Sequence, residues 1–188
     1  MTIDINQHKI AISDKYNIYV DNELTYKSRT KLFRFFLSEI ILSNFQDRQI
    51  ATIERKFDWL KAKYIFSGHD VGDWTFRTIR IWKMHYKCQI GKDSYDIYGH
   101  KGRKVSIFKN DQQIAWFDKS AVSWFEGDNY HLIANDNCNP ILLTSFVLIW
   151  DNFFNNDSEN STVTYDFGNI GPEARKFDRN WRPKKEMN

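Results

Sequence analysis

Basic side chains concentrate between residues 74 and 104. This stretch carries eight lysines and arginines against two aspartates, a net charge of +6, whereas the whole 188-residue chain carries +3. On neighbouring strands these cations would form a positive outer patch for anionic lipid head groups, at about 1 kcal/mol per cation near a membrane. The alternative is an ordinary solvated strand surface. The candidate binding residues are Arg77, Arg80, Lys83, Lys87, Lys101, Arg103 and Lys104.

Three aromatic residues, Trp74, Trp82 and Tyr86, are interleaved with these cations. A mixture of cations and aromatic rings also suits single-stranded nucleic acid, whose bases stack on such rings. A net charge of +3 is too small to indicate nucleic acid by itself. Nucleic acid is therefore a third hypothesis, behind a lipid or protein partner.

Other polar clusters do not have the spacing of a catalytic or metal site. His69 and Asp70, with Asp73, lie between glycines and favour a polar loop. The run 135–139 lacks the glycine and distant glutamate of a calcium loop, and is predicted to form a turn and a helix cap. Four further histidines are scattered: His8, His85, His100 and His131. We expect no enzyme, no bound metal and no cofactor.

The two cysteines, Cys88 and Cys138, are predicted to be small buried side chains rather than a disulfide or a redox pair. The first ten residues lack the basic and apolar regions of a signal peptide. We therefore expect a reducing, cytoplasmic setting, with a peripheral membrane position if the basic patch binds lipid.

Short runs of β-branched and aromatic residues recur every eight to twelve positions between polar turns, as in all-β sandwiches and barrels. The first predicted strand begins at Lys15 and is joined to the next by a hairpin turn at Asp21-Asn22. We predict a mainly β fold, a closed antiparallel barrel of about twelve strands.

One segment, Pro140 to Phe154, departs from this pattern and predicts a helix that is apolar on all sides. Asn139 is a good N-cap and Pro140 suits the first helical position. Fifteen residues extend about 22 Å, too short for a bilayer core of about 30 Å, so a helix enclosed by the barrel is favoured over a membrane anchor. We expect a domain over 1–154, with its central helix at about 139–154, and a polar, partly basic, flexible or loosely docked tail over 155–188.

The pattern resembles the LURP-one-related family of the tubby C-terminal-like superfamily, which also includes the phospholipid scramblases. The resemblance covers roughly residues 15–154 and implies a twelve-stranded barrel threaded by its terminal helix. Tubby proteins bind phosphoinositides and scramblases act on membrane lipids, but none of their functional residues can be placed on this chain one by one. The segments that carry it are 47–59, 94–98, 113–117, 123–125, 127–131 and the helix ending at Trp150-Asp151.

Since such a helix leaves little internal space, any ligand site should lie on the outer surface. The first hypothesis is a non-enzymatic module that binds anionic lipid head groups, and thus a membrane surface, without a transmembrane segment. The alternative is a scaffold or protein-interaction domain whose basic tail, Arg175 to Lys185, docks a protein partner.

Overall fold

A computed structural model of the chain describes residues 1–10, 13–32, 38–56, 63–68, 71–80, 84–119, 129–158 and 173–185. The described residues form twelve strands and one helix. The strands are β1 (Thr2–Ile10), β2 (Ser13–Val20), β3 (Glu23–Leu32), β4 (Ser38–Asn44), β5 (Gln49–Lys56), β6 (Lys63–Gly68), β7 (Trp74–Arg80), β8 (His85–Ile90), β9 (Asp93–His100), β10 (Lys104–Lys109), β11 (Gln112–Lys119) and β12 (Asn129–Ala134), and the helix is α1 (Pro140–Ser158).

Each strand pairs antiparallel with its neighbours in sequence, and β1 pairs with β12 to close the barrel. The predicted closed barrel of about twelve strands is thereby confirmed. The prediction that the first strand begins at Lys15 is wrong, because β1 precedes it. In β1 the side chains of Ile3, Ile5 and Gln7 are buried in the interior, so this strand has the same alternation as the others.

The first predicted hairpin is confirmed between β2 and β3. Asp21 and Asn22 have φ angles of 48° and 71°, which is the backbone that a two-residue hairpin turn with the twist of its strands requires. Asx residues tolerate this left-handed region better than most side chains. The turn therefore sets the register in which Val20 lies opposite Glu23.

The apolar helix α1 lies inside the barrel and supplies much of its core. Its start is capped as predicted, because Leu142 N donates to Asn139 Oδ1 at 3.2 Å. Phe146 is fully buried and Trp150 is 2% exposed among aromatic rings from the surrounding strands. The helix ends at Ser158, four residues later than predicted. Within the described part of the chain, no helix has both the length and the hydropathy that a bilayer crossing needs.

A layer of polar contacts inside the barrel fixes the C-terminal half of α1. Asp151, 1% exposed, accepts hydrogen bonds from the hydroxyls of Tyr16, at 2.5 Å, and Tyr130. The next residue, Asn152, accepts from Tyr64 at 3.1 Å. Since a buried carboxylate needs donors around it, these contacts select one rotation of the helix about its axis.

Candidate functional site

Four basic residues form a single row across four neighbouring strands of the barrel. Strand register places Lys56 opposite Lys63, Lys63 opposite Arg77, and Arg77 opposite Lys87. Residues paired in this way point to the same face of a sheet. Lys56, Arg77 and Lys87 are exposed and Lys63 is half-buried, so this face is the outside of the barrel. We call these four residues the basic row, which extends roughly 14 Å at about 4.8 Å per strand.

The two ends of the basic row each lie beside a carboxylate. The Lys56 ammonium donates to Glu54 Oε2, and the Lys87 ammonium lies 4.0 Å from Asp96 Oδ2. Among the residues that the structure describes, neither Lys63 nor Arg77 contacts a carboxylate. In that part of the chain, exposed Arg77 and half-buried Lys63 thus lie on the outer face without an acidic partner.

The structure brings two of the seven predicted basic residues, Arg77 and Lys87, directly together. Arg80 ends β7, but its side chain lies outside the described residues, as does Lys83 altogether. Lys101 lies five residues beyond Asp96, the β9 partner of Lys87, hence roughly 16 Å away along the strand.

The other two predicted residues, Arg103 and Lys104, lie beyond Lys101 at this same end of β9 and β10. Arg103 is exposed in the connecting turn, with a φ of 62°. Lys104 lies 3.4 Å from Asp118 and places its ammonium 4.4 Å from the centre of the Trp116 ring. This ammonium is therefore engaged within the protein.

Register also explains why the sequence did not indicate half of the basic row. Lys56 and Lys63 precede the basic stretch and reach the row only through pairing of β5 and β6 with β7. A linear count of charge cannot find them, because the signal is the alignment of strands rather than local composition.

Two of the three interleaved aromatic residues, Trp74 and Tyr86, face the core rather than this surface. Trp74 and Tyr86 are 4% and 2% exposed and face the core, where Trp74 stacks on Phe66 and Tyr86 contacts Trp150. Trp82 lies outside the described residues. The expectation that Trp74 and Tyr86 interleave with the cations is therefore wrong on the surface, because alternate residues of a strand point to opposite faces.

A second exterior surface, formed by β9, β10 and β11, is covered by the segment 173–185, which we call the C-terminal segment. Arg175 forms an ion pair with Asp111 at 2.6 Å and stacks over Phe108 at 3.8 Å. Trp181 Nε1 donates to the carbonyl oxygen of Gln113 at 3.2 Å. Near its end, the amide of Lys184 donates to Asn135 Oδ1 at 2.7 Å. The assignment of 155–188 to a flexible or loosely docked tail remains a prediction.

His100 is fully buried beneath the C-terminal segment, although it points outward from β9. Its Nε2 shares a hydrogen bond of 2.6 Å with Ser106 Oγ, and its Nδ1 lies 3.9 Å from Glu173 Oε1. Burial lowers the pKa of His100, while the nearby Glu173 carboxylate acts in the opposite direction. A hydrogen bond with the Arg175 backbone also raises this pKa, and the charged residue opposite His100 on β10 is Lys104. Neutral imidazole is thus the favoured form while the segment is docked.

The polar run 135–139 has structural partners. In the run 135–139, Cys138 N donates to Asn135 O in a turn and Asn139 caps α1, which confirms the predicted turn and helix cap. Asp73 borders a shallow hollow of about 310 Å³ between β5 and β6, whereas His69 and Asp70 lie outside the described residues.

Three of the scattered histidines lie on separate strands with separate partners. His85 lies 2.7 Å from Asp96, and His131 lies 2.7 Å from Asp4. His8, on β1, contacts the side chain of Asn17.

Both cysteines are free thiols. Cys88 is 1% exposed and Cys138 is half-buried, close to the predicted small buried side chains. Burial raises the pKa of each thiol, which suppresses the reactive thiolate.

The fold agrees with one comparison to known proteins. Comparisons with curated proteins and with solved structures return no match. The model of the LURP-one-related family matches residues 1–151, a range that includes all twelve strands and the first twelve residues of α1. Because this match covers well over half of the 188 residues, the chain belongs to the LURP-one-related family.

Proposed function

We propose that the barrel binds anionic phospholipid head groups through the basic row. The observation that carries this proposal is the alignment of Lys63, Arg77 and Lys87 on adjacent strands, with Lys56 at one end. Cations near an anionic membrane contribute about 1 kcal/mol each, so this spacing would make several weak contacts additive. The proposed partner is a membrane surface, and the proposed setting is its cytoplasmic side.

The arrangement of like charges supports a bound anion. Like charges directly opposite each other on neighbouring strands destabilise a sheet. Arg77 has a basic residue opposite it on both sides, and a phosphate between these side chains would relieve the repulsion. Ile79, two residues further along β7, is 43% exposed and offers apolar surface beside the row. An adjacent apolar side chain suits a lipid interface better than a soluble anion.

We further propose that the role is binding and not catalysis, because the barrel interior is occupied by protein. Phe146, Val147 and Ile149 on α1 have no exposed surface. The polar groups at the end of the helix, Asp151 and Asn152, are buried and hydrogen-bonded to tyrosines. A substrate would have to displace this core, whereas a head group needs only the outer face.

Vesicle flotation tests the proposal with the full chain and the double variant Arg77→Ala/Lys87→Ala. Vesicles contain either phosphatidylcholine alone or phosphatidylcholine with phosphatidylserine or phosphoinositide. Two cations at about 1 kcal/mol each predict that the variant loses about 30-fold in affinity for anionic vesicles. Binding of the unmodified chain should fall as salt rises, since exposed charges are screened.

A matched control removes the same charge elsewhere on the barrel. Lys15 and Arg29 are exposed and lie opposite each other on β2 and β3, so Lys15→Ala/Arg29→Ala reproduces the change away from the basic row. The control should bind anionic vesicles within about threefold of the unmodified chain. Equal losses in the two double variants, or equal recovery on neutral and anionic vesicles, would contradict a site at the basic row.

A further inference from the structure

The C-terminal segment contacts the barrel through alternate side chains. Glu173, Arg175 and Phe177 are half-buried against the barrel, whereas the intervening Ala174 and Lys176 are exposed. Every second side chain therefore lies on the barrel surface, although the backbone bends at residues 174–175. Recognition of alternate side chains gives specificity in known peptide-binding domains.

Arg175 makes the most specific of these contacts. Its guanidinium stacks 3.8 Å above the Phe108 ring, lies 5.7 Å from Tyr98, and pairs with Asp111 at 2.6 Å. A planar guanidinium can stack on a ring and bind a carboxylate at the same time, which an ammonium cannot do equally well. The Phe108 side chain is only 6% exposed beneath it. These contacts therefore favour arginine over lysine at this position.

On either side of Arg175 the barrel contacts a carboxylate, at Glu173, and an aromatic ring, at Phe177. The Glu173 carboxylate accepts a 2.8 Å hydrogen bond from the backbone amide of Lys101. Phe177 packs edge-on against His100 at 5.2 Å and Trp116 at 5.7 Å. The Lys104 ammonium lies 5.5 Å from the centre of the Phe177 ring.

We propose that the outer face of β9, β10 and β11 is a peptide-recognition site for a segment with the pattern carboxylate, any residue, arginine, any residue, aromatic. The C-terminal segment is its resident, reversibly bound ligand, and an equivalent segment of another polypeptide is the partner that replaces it. This proposal does not rest on lipid binding.

Two observations support reversible occupancy. The described residues 173–185 are not paired as a strand with the barrel, and their contacts are mostly made by side chains. Their docking is also intramolecular, because residues 159–172 connect them to α1. Tethering supplies an effective concentration of millimolar order, so weak side-chain contacts suffice to hold the segment. A partner with the same pattern then competes without having to unfold the barrel.

The test uses the full chain and a fluorescent peptide with the sequence of residues 171–188, followed by anisotropy. Arg175→Ala/Phe177→Ala in the full chain should weaken the resident segment and open the site. We expect the peptide to bind this variant at least tenfold more tightly than it binds the unmodified chain, where the resident segment competes. A peptide carrying the same two substitutions should bind neither chain.

The control variant Lys176→Ala/Arg179→Ala changes exposed residues of the same segment and should bind the peptide as weakly as the unmodified chain. If the first variant is not folded by circular dichroism, Arg175→Lys replaces it, with an expected gain of about threefold. Failure of the peptide to bind a folded variant would overturn the proposal. Equal binding to the opened and unmodified chains would overturn it as well.

Discussion

Gly99 on β9 lies close against the central helix, and its substitution tests the position of that helix. A Cβ atom at Gly99 would lie 2.9 Å from Trp150 Cη2 and 2.8 Å from Met84 Cβ. Both neighbours are buried, Trp150 at 2% and Met84 at 7% exposure, so neither can move into solvent. Overpacking of a close-packed core costs about 1–3 kcal/mol. We expect Gly99→Ala to lower the free energy of unfolding by about 2–3 kcal/mol, measured by urea denaturation.

A second substitution distinguishes the contact of Gly99 with the helix from its contact with Met84. Trp150→Phe shortens the ring and removes Cη2, at an expected cost of about 1–2 kcal/mol on its own. In the double variant Gly99→Ala/Trp150→Phe, the shorter ring leaves room for the new methyl group. The double variant should therefore lose about 1 kcal/mol less free energy of unfolding than the sum of the two single variants. The contact with Met84 Cβ persists and keeps the relief partial.

Gly91→Ala provides the control for this coupling. Gly91 has a φ of +56°, and a methyl group added there would meet no atom within 4 Å beyond its chain neighbours, so alanine costs backbone energy alone, about 1 kcal/mol. Its effect should add to that of Trp150→Phe without coupling. If Gly99→Ala leaves the free energy of unfolding unchanged, α1 does not pack against Gly99 as described. Equal coupling of Trp150→Phe with both glycine variants would show the same.

Two further predictions concern buried polar groups. Tyr16→Phe and Tyr130→Phe each remove a hydroxyl that donates to buried Asp151. Each should lower the free energy of unfolding by about 1.5–3 kcal/mol in urea titrations. The control Tyr19→Phe, outside this cluster, should lower it by less than about 0.5 kcal/mol. Docking of the C-terminal segment should weaken as pH falls below about 6.5, since burial lowers the pKa of His100 and the undocked state takes up the proton. Hydrogen exchange of residues 173–185, corrected for the intrinsic rate, should therefore be faster at pH 5.5 than at pH 7.5. His100→Gln should remove this difference.

The fold could be predicted from the sequence because its signals are local. Pro140 after a capping Asn139 marks the start of the helix, and the absence of charge up to Trp150 places it in the interior. The strand β1 gives a weaker signal although Ile3 and Ile5 alternate with polar residues, because Asp4 and Asn6 have low β-propensity. In the structure, closure of the barrel against β12 outweighs that propensity.

The candidate sites depend on information that the linear sequence does not contain. Lys56 and Arg77 are separated by 21 positions and become neighbours of Lys63 only through the register of β5, β6 and β7. A shift of one residue would turn these side chains toward the core. Similarly, nothing near Arg175 in the sequence indicates that Phe108 lies beneath it.

The geometry of Asp96 keeps the two proposed surfaces separate. Asp96 lies opposite Lys87 on one side and opposite Phe108, the residue beneath Arg175, on the other. Its carboxylate is 2.7 Å from His85 and 4.0 Å from Lys87. It therefore partly neutralises the positive charge at the β8 end of the basic row, next to the strands that bind the C-terminal segment. Charge removal at Arg77 and Lys87 should therefore leave peptide binding unchanged, and opening of the β9–β11 face should leave vesicle binding unchanged. Because the two sites meet at one neutralising residue and share no cation, failure of either proposal leaves the other standing.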